Sequence, residues 1–127
     1  MASDRVSDGH RLAELLASEL ESGATPDALA VTDADPDVEP TPDGALAYRV
    51  RDERSAEPIA EVFVQPDRAH VEFRAAPAAA ADAAEEAGLR VRPKMVEPPK
   101  TIVFVEDGAQ VKWVLPVFEA VLNQPRE

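Results

Sequence analysis

Alternation of apolar and polar residues between positions 46 and 74 constrains this chain more than any other feature. Leu46, Tyr48 and Val50 alternate with Ala47, Arg49 and Arg51, the period of a strand with one buried face. Residues 59–65 form a second such run, and residues 70–74 a third, with Val71 and Phe73 facing inward. The turn signal Pro66-Asp67 joins the last two as an antiparallel hairpin. The chain must therefore build a strand meander and find something to cover it.

Two helices are signalled clearly. In residues 7–22, Leu12, Leu15, Leu16 and Leu20 fall on one stripe, Ser7 or Asp8 can cap, and Gly23 can stop the helix. Residues 77–87 are nearly all alanine, opened by Pro77 and closed by Gly88, with Asp82, Glu85 and Glu86 on one face. Its other face offers only methyl groups, so it can approach a neighbour closely. Between the first helix and the meander, residues 24–44 carry Pro26, Pro36, Pro40 and Pro42 among acids. They read as a polar loop with a short strand at 28–32. Residues 89–96 return to alternation but contain Pro93, which places them at a sheet edge. Residues 101–106 are apolar on both faces, as a central strand is.

The C-terminal segment supports two readings. Asp107-Gly108 is a hairpin signal that would make residues 109–114 the next strand. Val111, Leu115, Phe118 and Leu122 also fit helical spacing, and Asp107 with Gln110 resembles a capping box. Pro116 would break a helix running straight through but suits the first turn of a new one. On that ground we expect a strand at 109–114 and a helix at 116–124. The expectation is then a single α+β domain over residues 7–124, with an N-terminal arm at 1–6 and a tail at 125–127. Its antiparallel sheet has about five strands, in the order α-β-β-β-α-β-β-α. That order resembles the type III secretion chaperone-like fold in topology alone.

Charge says where such a chain works. The 25 acids outnumber 13 bases, and Lys94, Lys100 and Lys112 are the only lysines. Residues 1–45 hold eleven acids against Arg5 and Arg11. In composition the chain resembles small acidic proteins of haloarchaea, which implies a salt-rich cytoplasm. In molar salt the Debye length is about 3 Å, so a dense acidic surface costs little self-repulsion. A net charge of −12 opposes nucleic acid and anionic membrane as partners. No run reaches the ~18 apolar residues that span a bilayer, and the N-terminus lacks the apolar stretch of a secretory signal. With no cysteine there are no disulfides, thiolate metal sites or cysteine nucleophiles.

Few constellations carry chemistry. Asp33, Asp35 and Asp37 match the opening of a calcium loop, but Val38 and Gly44 stand where it needs glycine and glutamate. Arg49, Arg51, Arg74, Arg90, Arg92, Lys94 and Lys112 all fall on the polar parity of expected strands. They would gather positive charge on one sheet face, either to hold an anionic ligand or acidic segment or to pair with Glu61 and Glu72. His70, Glu72 and Arg74 alternate and so point the same way, and a histidine beside a carboxylate can act as a general base. Two histidines without a third ligand argue against zinc. Trp113, Phe104 and Phe118 are expected in the core. No phosphate-binding glycine motif or nucleophile elbow is present, and no cofactor is expected. The expected role is non-catalytic, through binding another protein or homodimerisation. The alternative is an anionic-ligand or enzymatic domain on the charged face.

Salt provides the test. Like charges crowded into residues 1–45 interact unscreened at ~0.01 M ionic strength, where the Debye length is about 30 Å. Thermal unfolding followed by circular dichroism should shift steeply upward from dilute buffer to molar KCl, and sulfate should exceed chloride at equal ionic strength. A flat melting temperature would contradict the halophilic assignment.

Overall fold

The structure is a computed structural model and describes residues 8–22, 29–53 and 57–124. The expected arm at 1–6, the tail at 125–127 and the alternative cap Ser7 lie outside the described residues. Helix α1 (Gly9–Glu21) is opened by Asp8, whose carboxylate accepts from the backbone N–H groups of His10 at 2.9 Å and Arg11 at 3.3 Å. Leu12, Leu16 and Leu20 form its buried stripe. Gly9 abuts the backbone of Gln65 and Arg68 where no Cβ would fit, so the helix start is seated on a sheet turn.

Six strands follow the local alternation: β1 (Leu29–Thr32), β2 (Ala45–Asp52), β3 (Pro58–Gln65), β4 (Arg68–Phe73), β5 (Val91–Lys94) and β6 (Lys100–Val105). They make one antiparallel sheet in the order β1-β2-β3-β4-β6-β5. The sheet thus has six strands rather than five, since the described part of the short run, Leu29–Thr32, does pair. Pro93 lies in an edge strand and 101–106 in an interior one, as expected.

All helices cover one sheet face. Tyr48 Oη donates to the Ala13 carbonyl of α1 at 2.8 Å, and Thr101 Oγ1 to the Pro77 carbonyl at the start of α2 (Pro77–Ala87) at 2.7 Å. Burial pushes the Tyr48 phenol far above its ordinary pKa, so it remains a donor. The Phe73 ring packs 4.9 Å from that of Phe118 in α4 (Leu115–Leu122). Val50, Val62, Val64, Val71, Val103 and Val105 complete the core beneath the helices. Ala80 and Ala84, the methyl face of α2, are fully buried, and α2 packs on α4 within the chain.

The segment 109–114 is helical, not a strand: it forms α3 (Gly108–Trp113). The reason is nonlocal. β6 is already paired with β4 on one side and β5 on the other, so a returning strand has no edge to join. Locally, Asp107 accepts from Gln110 N–H at 3.1 Å while Gln110 Oε1 accepts from Glu106 N–H at 2.8 Å, a reciprocal cap. Pro116 stands in the first turn of α4, where its missing N–H costs nothing. The same change corrects the placement of Trp113. On a helix its ring turns outward, 45% exposed, whereas Phe118 and Phe104 are buried.

The acidic connection from 33 to 44 holds little apolar surface and is tied by polar contacts instead. Asp35 N–H donates to Ala47, Thr41 N–H to Val64, and Gln65 Nε2 to the Pro42 carbonyl at 2.7 Å. His10 Nε2 donates to the Pro36 carbonyl at 3.1 Å.

The exposure difference sets a prediction. Phe118→Ala should cost about 3–5 kcal/mol by chemical denaturation in molar KCl. Trp113→Ala should cost about 1 kcal/mol or less, as a half-exposed position does. Equal costs would show that Trp113 belongs to the core.

Candidate functional site

The helix-free face of the sheet carries the charged side chains. Register sets Glu61 of β3 directly across from Glu72 of β4, two carboxylates side by side. Opposed like charges are destabilising unless cations intervene, and here they do. Glu61 takes Arg74 Nε on Oε1 at 2.8 Å and Arg49 Nε on Oε2 at 2.9 Å. Burial alone would raise the Glu61 carboxyl, but the hydrogen bonds from Arg74 and Arg49 outweigh it and hold the group below the usual carboxylate range. Glu72 takes Lys100 Nζ on Oε1 at 2.9 Å and faces His70 Nε2 with Oε2 at 3.4 Å. Further along, Glu106 Oε2 accepts from Arg68 at 3.2 Å and Arg90 at 3.1 Å.

His70 is only 5% exposed although no helix covers it. Phe63 stacks on its ring with centroids 5.1 Å apart, Phe104 meets it edge-on at 5.9 Å, and Arg68 lies 4.1 Å over Phe104. Gly44 closes the top. A Cβ there would stand 2.6 Å from His70 Cε1, and the residue has φ +101°, so both space and backbone demand glycine. The tautomer follows from donor logic. Gln65 Nε2 donates to the Pro42 carbonyl, so its Oε1 must accept, at 3.0 Å from Arg68 Nε and 3.2 Å from His70 Nδ1. His70 Nδ1 therefore carries the proton. Burial lowers the His70 pKa below its ordinary 6.5; Glu72 opposes the shift, while Arg68 and Lys100 assist it. Glu72 lies on the Nε2 side of the ring.

The residues singled out from sequence separate into three groups. Arg49, His70, Glu72 and Arg74 come together in the central ladder, and Arg90 joins its extension through Glu106. Arg92 and Lys94 stand apart on β5, and Arg51 lies on β2 opposite Ala30 and Pro58. Lys112 is on α3 rather than a strand and pairs with Glu19 of α1 at 3.2 Å. Asp33 turns to Arg49 at 3.3 Å, and Asp35 accepts from Asp37 N–H at 3.0 Å. Among the described residues no three potential ligands come close enough to hold a metal ion. Sequence reasoning missed Lys100, Gln65, Arg68, Glu106 and Gly44. Lys100 opens an apolar strand, and only the fold reveals its partner.

The family model for a family of unknown function, DUF7993, matches residues 1–127. The chain belongs to that family. Comparison with curated proteins gives no match, and comparison with solved structures gives none either. For this family member the site's geometry is accordingly the source of any functional reading.

Two predictions follow from His70. Its folded pKa is lowered, so the unfolded chain binds the proton more readily and the stability it contributes is present above about pH 6.5 and lost as pH falls. Urea midpoints measured from pH 8 to pH 5 should decline in the wild type, and His70→Gln should remove much of that decline. Gly44→Ala should destabilise by about 1 kcal/mol or more, because the positive φ and the imidazole both oppose a Cβ. His70→Ala in the same chain should recover part of that loss, which a double-mutant cycle measures.

Proposed function

We propose that this family member is a non-catalytic cytoplasmic protein of a salt-accumulating organism that acts by binding another protein or by self-association. The observation that carries this reading is the closure of the charged face upon itself. Each carboxylate of its centre is held by cations of the same sheet, Glu61 by two arginines and Glu72 by Lys100. His70, the side chain there with acid–base chemistry near neutral pH, is walled in by Phe63, Phe104 and Gly44 and offers a substrate no approach. A general base must reach the proton it takes within hydrogen-bond distance. The 25 acids against 13 bases support a salt-rich compartment, and no helix among the described residues is long and apolar enough to cross a membrane.

The experiment is capture of the tagged chain from a lysate of its own organism in molar KCl, alongside light scattering of the purified protein. Stoichiometric retention of one polypeptide, or a stable dimer, supports the proposal. A thermal-shift panel of small anions probes the other reading. Stabilisation by one of them that is lost in Arg49→Gln and Arg74→Gln would replace the binding role with a ligand site on the charged face.

A further inference from the structure

Ten arginines and lysines lie among the described residues, and eight of them have partners. Arg11, Arg49, Arg68, Arg74, Arg90, Lys100 and Lys112 are in ion pairs, and Arg51 has an interaction as well. Arg92 and Lys94 have no ion pair among the described residues. Where acids outnumber bases by 25 to 13, an unpaired cation is unexpected, and two on one strand more so. Both belong to β5, the sheet's edge. Register carries the point further. Arg92 is opposite Ile102 and Lys94 opposite Lys100, so both cations share the helix-free face, and Lys94 confronts a like charge across the ladder.

The next two residues add the opposite chemistry. Met95 is 92% exposed and Val96 49%, and with Trp113 they are the large hydrophobic side chains most open to solvent among the described residues. Edge strands are often blunted with proline and charge, and Pro93 fits that role. Blunting accounts for neither the exposed Met95 and Val96 nor the choice of cations in an acid-rich chain. We propose that this corner, Arg92, Lys94, Met95 and Val96, is a docking surface for an extended acidic segment of a partner polypeptide, with apolar residues beside its carboxylates. The inference rests on the protein-binding role above and names its surface and partner chemistry.

Charge and spacing select the occupant. Arg92 and Lys94 are two residues apart on one strand face, about 7 Å, which matches carboxylates at alternate positions of an extended segment. Arginine binds such a carboxylate through its planar fork. A second copy docking symmetrically would set Arg92 and Lys94 against themselves, which disfavours that pairing. Pro93 has no N–H to donate, so side chains rather than an added ladder supply the contact.

The test uses the full chain and a fluorescent peptide alternating Glu with Val and Leu, read by anisotropy at 0.15 M and 2 M KCl. The wild type should bind it, and Arg92→Glu with Lys94→Glu should weaken binding by about tenfold or more. Met95→Ser with Val96→Ser should weaken it chiefly at 2 M KCl, where charge is screened and apolar contact persists. Lys112→Glu, an exposed control on α3, should leave it unchanged. Arg92, Met95, Val96 and Lys112 are exposed and Lys94 is half-buried, and circular dichroism confirms each variant's fold. Absence of wild-type binding, equal binding by the charge-reversed variant, or equal binding of a Lys-for-Glu peptide would overturn the proposal. Self-association abolished by the charge reversal would overturn it in favour of a second copy. Lysate capture with the charge-reversed variant separates the two readings. A partner retained at wild-type yield would keep the binding role and discard this surface.

Discussion

Two carboxylates, Glu61 and Glu72, face each other across adjacent strands on a sheet face that no helix covers. Directly opposed like charges destabilise a sheet unless counter-charges are supplied. Cations must therefore converge from several strands: Arg49 from β2, Arg74 from the end of β4 and Lys100 from β6. The ladder binds the sheet transversely, in the direction that backbone pairing alone also runs. It also accounts for the near-complete burial of His70, Phe104 and Ile102 on a face without a second layer. Long charged side chains lie over apolar ones there, their stems excluding water while their heads pair.

The same arrangement fixes the state of His70. Burial lowers the His70 pKa against the pull of Glu72, with smaller help from Arg68 and Lys100, and Gln65 accepts from Nδ1. The strap from Thr41 to Gly44 then closes over it, held by Gln65 Nε2 on the Pro42 carbonyl. Gln65 thus links three things: the orientation of the strap, the tautomer of His70 and the placement of Arg68 over Phe104. The face reads as a closed polar network, the kind that specifies one arrangement when every member is satisfied.

Against that closed network, the β5 corner is the place where pairing stops. The contrast lies within a single strand order, since β6 lends Lys100 to the ladder while its neighbour β5 holds Arg92, exposed, and Lys94, half-buried, without an ion pair among the described residues. Charge that is neutralised internally shapes the fold, and charge that is not is available to other molecules.

The sequence by itself determined what depends on near neighbours. Period-two alternation marked β2, β3 and β4, the Pro77 and Gly88 brackets marked α2, Ser7 or Asp8 marked the start of α1, and Pro93 marked the edge. It also held the residues of the central ladder, because parity assigns Arg49, His70, Glu72 and Arg74 to a polar face without knowing their partners. Tertiary structure alone decided the rest. Residues 109–114 carry both strand and helix signals, and the occupied edges of β6 chose the helix, turning Trp113 outward. Gly44 reads as a simple turn glycine until His70, 26 positions away, is found beneath it. Local pattern reports which face a side chain occupies. Which charge it meets there depends on register between strands distant in sequence, and only the folded sheet sets that register.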